Sequence, residues 1–595
     1  MMKLLEFAAI RAAYRDGSLT PAALFTQILA RIEDYPDRAV FIFRVPAEAV
    51  LAAASALDVR RMDELPLFGV PFVVKDNIDV AGMQTTAACP AFAYTAERDA
   101  AVVARLRAAG AILLGKANLD QFATGLNGTR SPYGAPRCVF DDRYISGGSS
   151  SGSAVAVGAG LCAFALGTDT AGSGRVPAGF NNVVGLKPTV GRLPATGVVP
   201  AMKSLDCVSV FANCAADAVA VLRVAEGIDD ADAYSRAAGE VGIAGTPVVG
   251  VLAEGQRHFA GDEEAARVYQ AAVAKAEGFG WPLVEIDYGP FLKIAEMLYG
   301  GAFVAERLAA IKGFFAGHAG EMNPVVRGIV AGADKYSAAD LFADFYRFKA
   351  LSRVAQAELQ KCDFLLLPTA PTIFTVEAML AEPVKLNSVL GTYTNFVNLM
   401  DLCAIAVPAG FRGDGLPVGV TLVGKAFADV ALAGFGDILH AAMGAGAGVS
   451  RAMPAGRMAV AGDEVTVVVA GAHLSGMSLN HELVGLGGRL ASVTRTAEKY
   501  RLFALDTVPP KPGLVRGGGM AGWGIDVEVW ALSAESFGKF VAGLPAPMGI
   551  GKVTLADGTE HPGFLCEAGA LEGAVDITRF GGWRTYQSKK ASNAF

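Results

Sequence analysis

Apolar residues over the first part of the chain alternate between helix-like spacing and short continuous runs. They recur every three or four positions over residues 1–60, a spacing typical of helices. A continuous apolar run follows at 67–74 and ends in the polar residues 75–77. A helical pattern over 101–109 leads to a second run at 111–114. The order strand, helix, strand predicts parallel pairing in a sheet that is covered on both faces.

The rest of the chain divides into a continuation of this sheet and a second, smaller domain. Further apolar runs that fit the sheet lie at 248–251, 364–367 and 418–423. Gly, Ala and Pro dominate residues 443–458, where no periodicity survives, so we predict a linker there. Strand patterns split by Gly and Pro turns follow at 465–469, 524–532 and 552–555. We therefore predict one large domain at 1–442 and a small α+β domain at 459–595.

The composition supports a globular α/β protein and argues against one class of partner. The 595 residues are enough for several cores, 52% of them are hydrophobic, and Gly and Pro number 71 and 28. Lys and Arg number 51 against 58 Asp and Glu, which gives a net charge of −7. A mildly acidic chain without long charge runs is not expected to have nucleic acid as its main partner.

Nothing in the sequence pattern indicates a membrane protein or a secreted one. The most apolar window, 154–167, is shorter than the ~20 residues of a membrane span. The charged Glu6, Arg11 and Arg15 make the N-terminal stretch an amphipathic helix rather than a signal peptide. The eight Cys include no CxxC pair, so neither a disulfide framework nor a zinc ribbon is expected. We expect a cytoplasmic protein without membrane association.

Two loops rich in Gly and Ser flank an apolar helical segment in the middle of the first domain. The first is GGSSSGS at 147–153 and the second is GTDTAGSGR at 167–175, with Ser149 and Ser173 24 residues apart. Gly allows close approach of the backbone, and successive free N–H groups form a nest that binds an anion. One such loop alone is typical of an ordinary turn. Two loops, with Lys75 at the end of an upstream strand, predict a catalytic site.

Two kinds of serine hydrolase fit these loops. GSSSG at 148–152 matches the nucleophile elbow G-x-S-x-G, which needs a strand before it and a His late in the chain. Residues 141–145 make a poor buried strand, and His440 is expected at the end of a helix. The second kind uses a Lys base, which acts only when burial keeps it neutral. Lys75 follows an apolar strand, so its head group is expected to be buried; the alternative is a surface Lys at a strand end.

The two loops, the upstream GVPFVVKDNIDVAGMQTTAAC and the following GLKPT resemble the amidase signature family over about residues 1–440. KANLDQFATGLNGTRSPYG, between them, is similar to the substrate loop of that family. The resemblance implies a large α/β domain with a central mixed β-sheet covered by helices. It also implies a Ser–cisSer–Lys triad. By motif position Ser173 is the nucleophile, Ser149 is the bridging cis-Ser and Lys75 is the base.

The same resemblance implies an oxyanion hole and no cofactor. The donors are backbone N–H groups of the second loop, each typically contributing ~3 kcal/mol to the lowering of the barrier: those of Thr170, Ala171, Gly172 and Ser173. No HExxH, P-loop or dinucleotide-binding fingerprint occurs in its proper context, so we expect neither a metal nor a cofactor.

The variant AGSGR and the stretch MLYGGAFVAER at 297–307 resemble the allophanate hydrolase branch of the family. In that branch a Tyr and an Arg hold the substrate, which implies Tyr299 and Arg307 here. Allophanate is a ureido carboxylate, and a planar guanidinium suits its carboxylate. The alternative for Arg307 is a solvated helical position paired with Glu306 or another acid. The implied reaction is the hydrolysis of allophanate to ammonia and carbon dioxide in urea degradation; hydrolysis of another small amide is the alternative.

The small domain resembles the γ-glutamyl cyclotransferase-like fold through the stretch VVVAGAHLSG at 467–476. Cleavage of one amide bond of allophanate leaves N-carboxycarbamate, and His473 is the candidate proton donor for its processing. The alternative is that His473 caps a loop and that the domain serves only assembly. We further expect a homodimer and a functional link to a urea carboxylase.

Overall fold

The computed structural model describes residues 4–243, 246–458, 464–486, 488–507, 510–518 and 524–592. The chain forms two compact units, 1–458 and 459–595. Each has a hydrophobic core of its own. None of the helices within the described ranges is both long and apolar enough to cross a membrane.

The first unit is an α/β structure. Its described helices are α1 (Phe7–Arg15), α2 (Pro21–Asp34), α3 (Ala47–Ser55), α4 (Ala101–Ala108), α5 (Ser151–Gly158), α6 (Val176–Phe180), α7 (Ala215–Ala225), α8 (Glu263–Gly278), α9 (Gly289–Gly300), α10 (Ala305–His318), α11 (Pro324–Ala331), α12 (Ala338–Leu359), α13 (Val376–Ala381), α14 (Lys385–Leu390), α15 (Phe396–Leu399) and α16 (Asp429–Met443). Its described strands are β1 (Phe41–Arg44), β2 (Pro71–Lys75), β3 (Gln84–Thr85), β4 (Tyr94–Thr95), β5 (Ile112–Ala117), β6 (Arg137–Cys138), β7 (Asp141–Ile145), β8 (Phe164–Asp169), β9 (Val184–Lys187), β10 (Cys207–Ala212), β11 (Val249–Leu252), β12 (Leu283–Ile286), β13 (Phe364–Pro368), β14 (Leu402–Phe411) and β15 (Pro417–Lys425).

Eleven of these strands form one mixed sheet in the part of the chain that the structure describes. Their order is β1-β5-β2-β8-β10-β9-β14-β15-β13-β11-β12. β2 is parallel to β5 and β8, and β11 is parallel to β12 and β13. The other neighbours are antiparallel. The predicted α/β fold, with a mixed central sheet and a smaller second domain, is confirmed.

The central strands are buried on both faces, which explains their nearly continuous apolar sequences. β2 reads PFVVK and β8 reads FALGTD, and every residue of both is buried. Because the two strands are parallel, their carboxyl ends meet at one edge of the sheet. The N-terminal stretch that was predicted to be helical also contributes the strand β1, FIFR. Four residues are too few for a strand pattern to stand out from the flanking helical spacing.

The helix α5 is buried all round and begins at the end of the first Gly/Ser loop. It reads SGSAVAVG, and all of these residues are buried. A Cβ on Gly152 would collide with the backbone of Val40 and Asn118. Small side chains therefore let this helix pass close to the neighbouring backbone, which holds the preceding loop in position.

The segment predicted as a linker, 443–458, lies within the first unit. The backbone N–H of Gly448 donates to the carbonyl of Asn182 at 2.7 Å. The backbone N–H of Gly456 donates to Glu6 Oε2, also at 2.7 Å. An irregular segment without periodicity is thus held by hydrogen bonds of its backbone to a folded unit.

The second unit is small and rich in β-strands. Its described elements are β16 (Glu464–Val469), α17 (Asn480–Gly485), β17 (Arg489–Arg495), β18 (Tyr500–Ala504), β19 (Pro512–Arg516), β20 (Asp526–Ser533), α18 (Ala534–Ala542), β21 (Met548–Thr554), β22 (Glu560–Cys566), β23 (Val575–Asp576) and α19 (Trp583–Ser592). They include a sheet in the order β17-β20-β16-β22-β21 and a second in the order β19-β18-β23. Strands β16, β20 and β21 lie close to the predicted places. The predicted start of this domain, residue 459, lies outside the described residues.

Candidate active site

Lys75 is the last residue of β2, and its side chain is fully buried. Its Nζ donates to Ser149 Oγ at 2.8 Å and to Thr168 Oγ1 at 2.7 Å. Thr168 belongs to β8, the parallel neighbour of β2, and Ser149 lies in the first Gly/Ser loop. The parallel pairing therefore brings the lysine to the loops at the edge of the sheet where both strands end.

The Lys75 amine has two hydroxyl partners and no carboxylate partner among the described residues. Burial lowers the pKa of Lys75 to about 7, and the negative charges of Asp206, Asp120 and Asp169 oppose that shift. An amine with this pKa is partly neutral near neutral pH and can accept a proton. Lys75 thus meets the requirement for a base that activates a serine nucleophile.

Ser149 stands in a loop that packs against Asp120. The peptide bond between Gly148 and Ser149 is cis. The Ser149 carbonyl accepts from the Asp120 N–H at 3.1 Å, and a Cβ on Gly148 would collide with Asp120 Oδ2. The same carboxylate accepts from the backbone N–H groups of residues 127, 128 and 130. Asp120 therefore holds the first Gly/Ser loop against the segment 120–130.

Ser173 lies in the second Gly/Ser loop and is 2% exposed. Its Oγ donates to the carbonyl of Gly125 at 3.4 Å. Gly125 contacts the Asp120 carboxylate, because a Cβ on Gly125 would collide with Asp120 Oδ2. Both loops thus lie against one segment. Among the described hydrogen bonds Ser149 is joined to Lys75, whereas Ser173 is joined to Gly125 and not to Ser149.

The turn after β8 presents backbone donors. The N–H groups of residues 170–173 donate to no acceptor among the described residues. Gly172 has a φ of +150°, and a Cβ there would collide with Thr394, so only glycine fits. Asp169 holds the turn through a fully buried ion pair with Arg175. Asp169 and Arg175 are therefore structural, and four N–H groups remain free to bind an anion.

The structure brings Tyr299 and Arg307 together. Arg307 Nη2 donates to Tyr299 Oη at 3.0 Å, and Nη1 donates to Thr124 Oγ1 at 3.0 Å. Arg307 is 2% exposed, forms no ion pair with a described residue, and its Nε has no hydrogen-bond partner there. Glu306 instead accepts from Ser204, so the alternative of a solvated pair between Arg307 and Glu306 is wrong.

The chain that forms this arrangement matches two protein-family models. The family model described as Amidase matches residues 23–433. The chain belongs to the amidase family. A second family model, described as Allophanate hydrolase C-terminal domain, matches residues 465–588 of the second unit. The resemblance that the two loops carry is thereby confirmed for this amidase.

Two curated relatives of this amidase are longer than the chain. It is 45% identical over 543 residues to the urea amidolyase of Lachancea kluyveri and 44% identical over 549 residues to that of Saccharomyces cerevisiae. Both matches cover 88% of this chain and 30% of the relative, so the chain spans less than a third of their length. The solved structure of Kluyveromyces lactis allophanate hydrolase is 39% identical, covers 99% of this chain and 100% of that one, and has a TM-score of 0.72.

Three contacts of the amidase unit involve residues that the sequence did not single out. Thr168 accepts from Lys75, Thr124 accepts from Arg307, and Asp120 donates its backbone N–H to the Ser149 carbonyl. Thr168 lies inside the second Gly/Ser motif, and the other two lie inside the segment that resembles a substrate loop. Their position inside these motifs is the one feature of the sequence that could have indicated a role in the site. A motif does not show which of its polar residues contacts which partner.

A cavity of about 620 Å³ opens beside His473 in the second unit. His473 Nε2 lies 2.9 Å from Glu482 Oε2, and its ring stacks on Phe564 with the centroids 5.2 Å apart. Burial lowers the pKa of His473, and the hydrogen bond and charge of Glu482 oppose that shift. Lys511 and Lys539 also line the cavity. A titratable imidazole and two cations within mostly apolar walls suit a small anion.

Proposed function

We propose that the chain is an allophanate hydrolase whose first unit cleaves the ureido amide of allophanate. The observation that carries the proposal is the buried Arg307, a cation without an acidic partner among the described residues. It contacts Thr124, and the next residue, Gly125, accepts from Ser173. Adjacent Cα atoms are only ~3.8 Å apart, so the cation and the serine flank one short segment. This arrangement favours a substrate that is both an amide and an anion.

The charge of Arg307 also favours allophanate over a neutral small amide as the substrate. A buried cation without a counter-ion is costly, and the carboxylate of allophanate would supply that counter-ion. A neutral small amide would leave the guanidinium unpaired. The names of the relatives, urea amidolyase and allophanate hydrolase, support the charged substrate.

The proposed first step forms an acyl-enzyme. Ser173 gives up its long hydrogen bond to Gly125 and donates to Ser149, which passes a proton to neutral Lys75. Ser173 Oγ attacks the ureido carbonyl, and the free N–H groups of residues 170–173 stabilise the negative oxygen that develops. The C–N bond to the terminal nitrogen then breaks. Lys75 returns the proton through Ser149, and ammonia leaves.

The proposed second step is hydrolysis of the acyl-enzyme. Water gives a proton to Lys75 through Ser149 and attacks the acyl carbon, and the bond to Ser173 Oγ breaks. Ser173 recovers its proton from Lys75. The product is N-carboxycarbamate, a dianion with one carboxylate on each side of its nitrogen, together with a proton that ammonia takes up as ammonium.

We propose that the second unit decarboxylates this dianion. The cavity beside His473 is lined by Lys511, which would bind one carboxylate, and by Lys539, which would exchange its ion pair with Glu535 for the other. One C–N bond breaks, carbon dioxide leaves, and the electron pair that stays on nitrogen takes a proton from the protonated imidazole of His473, which regains a proton from solvent. The product is carbamate, which decomposes to ammonia and carbon dioxide. The alternative, a domain that serves only assembly, gives no reason for an imidazole and two cations around one cavity.

Two expectations about partners belong to the same proposal. The relatives named urea amidolyase contain a large additional part that this chain does not match. We propose that the chain works with a urea carboxylase that supplies allophanate, and that it does so as a homodimer. Light scattering of the purified chain tests the dimer, and ammonia release from urea with and without added carboxylase tests the link.

The decisive experiment compares allophanate with biuret, in which a neutral amide replaces the carboxylate. In Arg307→Ala, the KM for allophanate should rise roughly 30- to 150-fold, the effect of losing a charge-assisted contact. The KM for biuret should change much less. Equal losses on both substrates would show that Arg307 is structural and would defeat the charged substrate.

Two serine variants separate chemistry from folding in that experiment. Ser173→Ala should abolish ammonia release from both substrates, since no nucleophile remains. Ser153→Ala is the matched control, because the hydroxyl of this buried serine donates to the Leu166 carbonyl and to no other described residue. A folded Ser173→Ala enzyme that works at the parent rate would exclude Ser173 as the nucleophile.

The role of the second unit is tested by product analysis of His473→Asn in the full chain. Ammonia from the first step should be released at the parent rate, while N-carboxycarbamate accumulates transiently in a ¹³C spectrum. His481→Asn is the control, since this exposed imidazole contacts only the Ser478 carbonyl among the described groups. If N-carboxycarbamate decays at the parent rate in His473→Asn, the catalytic role of the second unit is wrong and the assembly role remains.

A further inference from the structure

Asp206 lies opposite the start of the turn 170–173, whose free N–H groups are the proposed oxyanion donors. This turn is called the oxyanion turn below. Asp206 immediately precedes β10, which is antiparallel to β8 with Cys207 opposite Asp169. One more step along this register faces Asp206 to Thr170, the first residue of the turn. The Thr170 hydroxyl donates to Asp206 Oδ1. Both side chains are buried, at 8% and 1% exposure.

The charge of Asp206 is not neutralised by a direct partner. Its Oδ2 accepts from the backbone N–H groups of Ala201 at 2.7 Å and Met202 at 3.1 Å. These two amides and the Thr170 hydroxyl are neutral donors, and no described Lys, Arg or His forms an ion pair with Asp206. Keeping such a carboxylate in the interior is costly, so its place beside the active site calls for a function.

The charged groups around Asp206 and Lys75 are few. The charges of Arg307 and Lys75 interact with Asp206, and the charged Lys203 and Asp232 line the same cavity as Asp206. Besides Asp206, two carboxylates act on Lys75: Asp120, which accepts three backbone N–H bonds, and Asp169, which is paired with Arg175. Of these three carboxylates, Asp169 has its charge balanced by Arg175. Asp206 accepts a hydrogen bond from the side chain of Thr170 in the oxyanion turn.

We propose that Asp206 is a positioning residue for amide hydrolysis: it holds Thr170 at the start of the oxyanion turn, and its charge stabilises the ammonium that Lys75 forms. The proposal rests on the proposed base role of Lys75. When Lys75 accepts the proton of Ser173, a positive charge appears in the interior. A fixed negative charge nearby lowers the energy of that state and needs no reorganisation when the proton moves.

The protonation states fit this role. Burial raises the pKa of Asp206 to about 6, and its three hydrogen bonds oppose the shift. Asp206 is therefore ionised in the range near pH 7 where Lys75 exchanges its proton. Removing its charge makes the Lys75 ammonium less stable, so the pKa of Lys75 falls and the lysine becomes a weaker base.

Two substitutions separate the charge from the hydrogen bond. Asp206→Asn removes the charge and keeps the bonds, because the Thr170 hydroxyl can accept from the amide as well as donate. Thr170→Val removes the bond and keeps the carboxylate, although losing this bond raises the pKa of Asp206 further, so its charge is complete only at the alkaline end of the profile. Activity is measured as ammonia release from pH 5 to 9 on whichever small amide the parent hydrolyses, so that failure on allophanate alone concerns the proposed function and not this proposal.

For Asp206→Asn we expect a lower plateau rate, by about 10-fold or more, and a rise of activity that begins about one pH unit lower. Thr170→Val should also lose rate, but its rise should move less than that of Asp206→Asn, because its carboxylate still ionises as pH increases. The position of the rise does not depend on how much enzyme is folded. Equal losses in both variants with the rise unmoved, or a parent-like Asp206→Asn, would overturn the proposal.

Discussion

Two buried lysines on neighbouring strands have different surroundings. In the pairing of β2 with β5, Lys75 lies opposite Ala117, and Lys116 lies opposite Val74. Both side chains are fully buried. The two amines differ in the residues that they contact and not in their distance from water.

Lys116 has a carboxylate partner and Lys75 does not. Lys116 Nζ lies 2.9 Å from Asp76 Oδ1 and donates to Thr85 Oγ1 at 2.6 Å. Lys75 donates only to the hydroxyls of Ser149 and Thr168 among the described groups. Burial lowers the pKa of both lysines, but Asp76 directly opposes that shift at Lys116.

Burial alone therefore does not identify a lysine as a catalytic base. A buried lysine with a contacting carboxylate serves the structure, because the attraction within the pair offsets part of the desolvation of both charges. A buried lysine with hydroxyl partners loses its proton near neutral pH and can act as a base. The predictions below test this division.

The largest effect should come from replacing the lysine without a carboxylate partner. Lys75→Met keeps the volume but removes the base, so ammonia release should fall at least about 10⁴-fold. Steady-state assays on protein shown to be folded by thermal unfolding measure this. Lys116→Met is the matched control and should keep most of the activity per folded molecule. A Lys75→Met enzyme that works near the parent rate would show that Lys75 is not the base.

The second effect concerns stability and the paired lysine. Lys116→Met leaves Asp76 buried without its cation, which should lower the free energy of unfolding of the first unit by about 3–5 kcal/mol. Denaturant unfolding at pH 7 measures it. The double variant Lys116→Met/Asp76→Asn should regain part of the loss, since no buried charge is then left unpaired. A single variant as stable as the parent would mean that the pair contributes nothing.

The third effect is the pH dependence of the parent enzyme. Because the neutral form of Lys75 is the base and its pKa is about 7, activity should rise with pH by about tenfold per unit below 7 and level off above it. A pH–rate profile under conditions where chemistry limits the rate checks this. A flat profile from pH 6 to 9 would argue against a lysine base.

The smallest effect is the contribution of Lys75 to stability. Its pKa is about 7 when folded and 10.5 ordinarily, so the unfolded chain binds more protons between these values. The free energy of unfolding therefore gains from this group as pH rises from 7 towards 10.5. Lys75→Met should be more stable than the parent at pH 7, and its advantage should shrink by pH 9.5. A pH-independent difference between the two would refute the lowered pKa.

Much of the first unit was open to prediction from its apolar pattern. The runs at 67–74 and 111–114 correspond to β2 and β5, and their predicted parallel pairing is confirmed. The strand β1 and the order of the sheet were not predicted, because strand pairing is decided between residues far apart in the chain. A local pattern shows that a strand is buried and does not show which strand lies beside it.

Long sequence motifs identify the family and point to Lys75, Ser149 and Ser173, because these residues lie inside stretches whose local backbone needs Gly and Ser. Only the tertiary structure decided that Asp76 pairs with Lys116, that Arg307 reaches Thr124 from 183 residues away, and that Asp206 meets the oxyanion turn. The reason is physical: hydrogen bonding and pKa depend on which charges and hydroxyls the fold brings within a few ångströms, and chain order does not encode that distance.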